Sequence, residues 1–196
     1  MHDDLGARLT EIRYLTEIKQ TNASDYNDTV LKKVSVLTND IISTFNEIVW
    51  SVSPQNDTLE NLTEFIGQYA VDYLSKVNIR CRLDIPAQIP NIEAPAEIRH
   101  NVFLAVKEAL NNAVKYSETH ELHIKVEINN LIATITIQDF GKGFDASEKN
   151  KFGNGLKNMK SRMKNIGGNF QIEGNTGSGT KIILQFPVNK DLLIND

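Results

Sequence analysis

Apolar residues recur at Leu5, Leu9, Ile12, Leu15 and Ile18, spacings of four, three, three and three, which line one face of a helix over residues 5–19. The polar run QTNASDYND, residues 20–28, reads as a turn. Beyond it Val30, Val34, Leu37, Ile41, Phe45, Ile48 and Val52 repeat at three and four, the most regular helical stripe in the chain, and Pro54 ends it. Two such helices bury only one stripe each against the other, too little for stability in roughly fifty residues. A second copy, making a four-helix bundle from two hairpins, covers the rest; packing on the remainder of the same chain is the alternative.

The remainder alternates between periods. Residues 59–77 are helical, with Leu62, Phe65, Ile66, Tyr69, Val71 and Leu74 apolar, and residues 78–85 (NIRCRLDI) alternate as a strand. Pro86, Pro90 and Pro95 mark a loop before a strong helix over residues 97–116. Strands follow at 123–128 and 132–139, joined through Asn129, Asn130 and Leu131, then a glycine-punctuated loop, a helix at 156–166, and strands at 169–173 and 181–187. Mixed helices and mostly hairpin-linked strands predict an α+β fold, a helical hairpin followed by an α/β sandwich with its helices on one face of a sheet. The expected boundary lies near Asp57, giving domains 1–57 and 58–196.

Composition narrows the functions. With 40% hydrophobic and 23% charged residues among 196, disordered, collagen-like and disulfide-scaffold classes drop out. A net charge of −4 with no long basic block argues against nucleic-acid binding. No apolar run is long enough to span a bilayer, so no membrane contact is expected of these residues. Cys81 is alone, and His2, His100, His120 and His123 form no His-Glu-x-x-His pattern, so a zinc hydrolase is not supported. Met1 is followed at once by His2, Asp3 and Asp4 with no signal peptide, and the expectation is a piece of a longer protein in the cytoplasm.

Nine of the eleven glycines lie in the last third. Glycines let a backbone approach a ligand closely and turn main-chain amides toward phosphates. The known phosphate loops do not fit: residues 174–181 (GNTGSGTK) end in Thr-Lys and precede a strand, and Gly141-Lys142-Gly143 lacks the third glycine of a dinucleotide fingerprint. On the helix over residues 97–116, Glu108 and Asn112 share a face that Ala105 and Ala109 leave uncrowded. A carboxylate and a carboxamide oxygen suit Mg²⁺, which keeps several waters beside nucleotide phosphates, and Lys115, a turn further, can reach a phosphate.

Four short motifs stand in order: Glu108-Ala-Leu-Asn-Asn112-Ala-Val-Lys115, Asp139-Phe-Gly141-Lys-Gly143, Gly153-Asn-Gly155-Leu156 and Gly177-Ser-Gly179-Thr180. The set resembles the N, G1, G2 and G3 boxes of the ATPase fold shared by histidine kinases, gyrase B, Hsp90 chaperones and MutL. The resemblance covers about residues 59–188 and implies an ATP site between helices and sheet. It implies that Asp139 accepts the adenine amino group with Thr180 nearby, that Glu108 and Asn112 hold Mg²⁺, and that residues 144–152 form a lid. The nucleotide contacts it carries over are Asn112, Lys115, Tyr116, Asp139, Gly141, Gly143, Gly153, Gly155, Leu156, Gly177, Gly179 and Thr180.

The opening Met1-His2-Asp3-Asp4-Leu5-Gly6 looks like the phosphoacceptor motif of sensor histidine kinases with a HisKA_3-type hairpin, in the style of Bacteroidetes. This resemblance implies autophosphorylation of His2 from ATP, with Asp3 as the neighbouring carboxylate and Glu108 in the catalytic set. It further implies a homodimer, transfer to a response regulator of NarL/LuxR or LytTR type, and a full-length protein anchored to the inner membrane. The alternative is a nucleotide-dependent binding module, such as an anti-sigma-type switch, which does not need His2.

Overall fold

The computed structural model describes residues 10–12, 31, 33–38, 41–42, 44–45, 47, 49–50, 53, 55, 57–143, 154–174 and 176–188. His2, Asp3, Gly153 and the expected lid, residues 144–152, lie outside the described residues. The chain divides into two compact units, Met1–Val52 and Ser53–Asp196.

In the first unit the described residues are helical in both expected stretches, 10–12 and 31–50. Lys33 Nζ pairs with Glu11 Oε1 at 2.8 Å, joining the two. Ile42, Phe45 and Val49, at helical spacing, stay exposed, Phe45 at 58%.

The second unit is an α+β layer structure. Helices α1 (Leu59–Ser75), α2 (Ala96–Tyr116) and α3 (Gly155–Asn165) accompany strands β1 (Arg80–Asp84), β2 (Glu121–Asn129), β3 (Ile132–Asp139), β4 (Asn169–Gly174) and β5 (Thr180–Pro187). The sheet order is β1-β2-β3-β5-β4, with β1 parallel to β2 and every other pair antiparallel. The parallel pair requires a crossover, and α2 supplies it. Thr58 caps α1 by accepting from Asn61 N–H at 3.2 Å. The β2–β3 hairpin turns through Asn130 (φ 49) and Leu131 (φ 63), the double left-handed geometry of a two-residue turn, which Asn tolerates and Leu adopts at a cost.

Strand alternation builds the core. Leu122, Ile124 and Val126 of β2, Ala133, Ile135 and Ile137 of β3, and Ile182, Leu184 and Phe186 of β5 are buried. They share one side of the sheet with the buried Val102, Phe103, Val106, Ala109, Leu110 and Ala113 of α2 and Met159 and Met163 of α3. The other side is polar, and there His123 Nε2 lies 2.6 Å from Glu121 Oε1. The parity that buries Ile135 and Ile137 carries one polar residue inward at the strand's end, Asp139, 5% exposed.

Candidate functional site

Three small residues spaced four apart, Ala105, Ala109 and Ala113, let α2 approach the sheet closely. Where Ala109 and Ala113 leave room, a pocket of about 460 Å³, measured with its open mouth, lies between α2, α3 and the sheet. Its wall joins Asn112, Tyr116 and Ser117 of the α2 end, Asp139, Gly143, Leu156 and Thr180, with Ile137, Ile172 and Ile182 as the apolar floor. Such a mostly apolar slot with a few fixed polar groups suits a flat heteroaromatic ligand.

Asp139 is fixed from two sides. Gly141 N–H donates to its Oδ1 at 3.0 Å and Thr180 N–H to the same oxygen at 3.2 Å. Burial pushes its carboxyl above the ordinary aspartate value, and these hydrogen bonds oppose the rise. Two glycines make the arrangement possible: a Cβ at Gly141 would run into Ser117 O, and one at Gly179, where φ is +74, into Asp139 O. The loops are tied to one another through Lys142, whose N–H donates to Ser117 O at 2.8 Å and whose carbonyl accepts from Gly177 N–H at 2.6 Å. Its Nζ pairs with Glu118 Oε1 at 2.7 Å.

At the other end of the pocket, a Cβ at Gly155 would run into Glu108 Oε1 and come 3.4 Å from Asn112 Nδ2. The amino end of α3 therefore sits beside Glu108 and Asn112. Asn154 at that end makes no side-chain cap, and a helix start is a place where N–H groups can meet an anion. Asn112 Nδ2 is buried without a hydrogen-bond partner. A phosphate oxygen at this place would satisfy that donor, so the donor set fits a nucleotide polyphosphate, and the Glu108 and Asn112 oxygens fit a magnesium ion that keeps its waters. Among the described residues no cluster of three His, Cys, Asp or Glu offers a denser metal site.

The sequence-derived set is thus distributed unevenly. Asn112, Tyr116, Asp139, Gly143, Leu156 and Thr180 line the pocket, while Glu108, Gly141, Gly155, Gly177 and Gly179 hold its edges and loops. Lys115 is exposed on the last turn of α2 and is not part of the wall. Ala113, Ser117, Ile137, Ile172 and Ile182 were not singled out from the sequence, although four-residue steps from Ala109 and two-residue steps from Asp139 and Thr180 lead to four of them.

Residues 98–190 match the family described as histidine kinase-, DNA gyrase B-, and HSP90-like ATPase. Sensor protein VraS of Staphylococcus aureus (strain COL) is 26% identical over 192 residues, 97% of this chain and 54% of that protein. The chain thus spans about half the length of the curated relatives it matches. Among solved structures, the histidine kinase AdeS of Acinetobacter baumannii superposes with a TM-score of 0.58 at 17% identity, covering 95% of this chain and 98% of that one. Full-length ShkA in complex with AMPPNP gives 0.64 at 15%, covering 94% and 43%. These structures share its fold. No described helix is long and apolar enough to cross a membrane.

Proposed function

With residues 98–190 an ATPase domain homologous to those of bacterial sensor histidine kinases, we propose that this chain is the catalytic core of such a kinase, which phosphorylates its own His2 from ATP. The observation that carries this reading beyond a generic ATPase is the extent of the likeness to VraS. It runs over 97% of the chain, far beyond residues 98–190.

In this reading residues 1–57 form the dimerisation and phosphotransfer hairpin and residues 58–196 bind ATP. The adenine lies in the apolar slot with its amino group toward Asp139, and the phosphates lie toward Asn112, Lys115 and the amino end of α3. Glu108 and Asn112 hold Mg²⁺, which when bound neutralises phosphate charge. The neutral His2 imidazole attacks the γ-phosphorus, a P–N bond forms, the bond to the β,γ-bridging oxygen breaks, and ADP leaves. Asp3 accepts the other ring N–H and raises the nucleophilicity of the ring. The phosphoryl group then passes to an aspartate of a response regulator of NarL/LuxR or LytTR type. The hairpin pairs with a second copy through a face that includes the exposed Ile42, Phe45 and Val49, in a cytoplasmic segment of a membrane-anchored protein.

The test is transfer. With labelled ATP and Mg²⁺ the chain should become labelled and then pass the label to a receiver domain of one of these two types. ATP binding with no label on the chain would instead identify a nucleotide-dependent binding module.

A further inference from the structure

We infer that Arg99 is a positioning residue for phosphoryl transfer: it pins the start of the ATP-binding unit to α2, the helix that carries Glu108 and Asn112. The inference rests on the kinase reading above. Arg99 is 1% exposed, an unusual place for a guanidinium. Burial lowers its pKa, and the charge of Asp57 opposes that shift. Its Nη1 donates to Ala94 O at 2.7 Å, two residues before α2 begins, and its Nη2 donates to Ser53 O at 2.8 Å, forty-six residues away. The first contact closes a local loop. The second holds the first residue of this unit, directly after Val52.

Downstream of Ser53 the chain is zipped to the segment that leads into α2. Ala94 N–H donates to Asp57 O at 2.6 Å, Thr58 bridges Glu93, and Leu59 N–H donates to Ile92 O at 2.9 Å. Upstream of Asp57 the exposed bond from Asn61 Nδ2 to Gln55 O at 3.3 Å is a second hold. Arg99 thus extends the docking of the chain to the first residue after the hairpin unit. Glu108 follows nine residues later on the same rigid helix, about 13.5 Å along its axis. With the clamp closed, the first residue of this unit is fixed to the helix that carries the phosphate-facing groups. Without it, the start of this unit is held less firmly, so His2 reaches an occupied nucleotide site less often while nucleotide affinity stays the same.

The experiment uses the whole chain with Mg-ATP and compares wild type, Arg99→Met, Arg99→Lys, a chain with two glycines inserted between Val52 and Ser53, and Arg99→Met combined with that insertion. Nucleotide affinity is measured by calorimetry, and the autophosphorylation rate at saturating Mg-ATP. Arg99→Met and the insertion should each slow the rate about tenfold or more, as misplacement far from the chemistry can, at unchanged affinity. Together they should be no slower than the worse of the two, because both remove one tether. Arg99→Lys, which keeps a donor for one carbonyl, should fall between. A wild-type rate in Arg99→Met, or a parallel fall of rate and affinity, would overturn the inference. If Arg99→Met does not fold, the insertion decides alone, and a wild-type rate there would overturn it. A wild-type chain that binds Mg-ATP and never becomes labelled would sink the kinase reading, and this inference with it.

Discussion

Asp139 is a carboxylate in a row of alkyl side chains, following Ala133, Ile135 and Ile137 on the buried face of β3. Its value lies in being a fixed acceptor, since Gly141 and Thr180 N–H hold one oxygen and orient the group. Asp139→Asn and Asn112→Asp should each leave the fold intact and weaken Mg-ATP binding at least roughly thirtyfold, the equivalent of about 2 kcal/mol for a hydrogen bond to a charged group. Calorimetry on the purified variants checks this. Because the folded carboxyl titrates above its ordinary value, acidification should weaken nucleotide binding before an exposed aspartate would protonate, and Asp139→Asn should lose that dependence. For stability the sign is opposite. The folded state binds this proton more tightly than the unfolded chain, so the stabilising contribution is full below the unfolded pKa and lost as pH rises through the folded one. Glu108, Asn112 and Asp139 were legible as residues of the pocket and its edge because they stand in ordered motifs. The isoleucine floor was not, since an apolar residue facing a ligand has the same period as one facing the core.

At the scale of elements, the helices and strands of the second unit follow from their periods, and their ends from proline, glycine and the Thr58 cap. The pairing of β1 parallel to β2 was not legible, because strand alternation sets which face is buried and says nothing of the neighbour's direction. Nor did the motif Gly153-Asn-Gly155 reveal that the start of α3 abuts Glu108; that closeness belongs to how two helices pack. It gives a separable pair of glycine effects. Gly155→Ala pushes on the flexible end of Glu108, so it should cost no more than about 0.5 kcal/mol of stability while lowering Mg-ATP affinity. Gly179→Ala meets the fixed Asp139 backbone at positive φ and should destabilise the fold by more than about 1 kcal/mol. Denaturant melts beside calorimetry distinguish the two.

For the whole molecule, the proposed function requires the N-terminal helices and the pocket to serve one reaction. The exposed Ile42, Phe45 and Val49 offer an apolar face for a second copy, so light scattering at tens of micromolar should give a dimer, and Leu37→Glu with Phe45→Glu should give a monomer. A wild-type monomer would remove the bundle from the account. The most direct measurement is the site and chemistry of the label after incubation with Mg²⁺ and γ-labelled ATP, wild type beside His2→Gln. The account predicts label on wild type that survives alkali and is lost in acid, as a phosphoramidate behaves, and none on His2→Gln. Equal labelling of both chains, or acid-stable label on wild type, would contradict it.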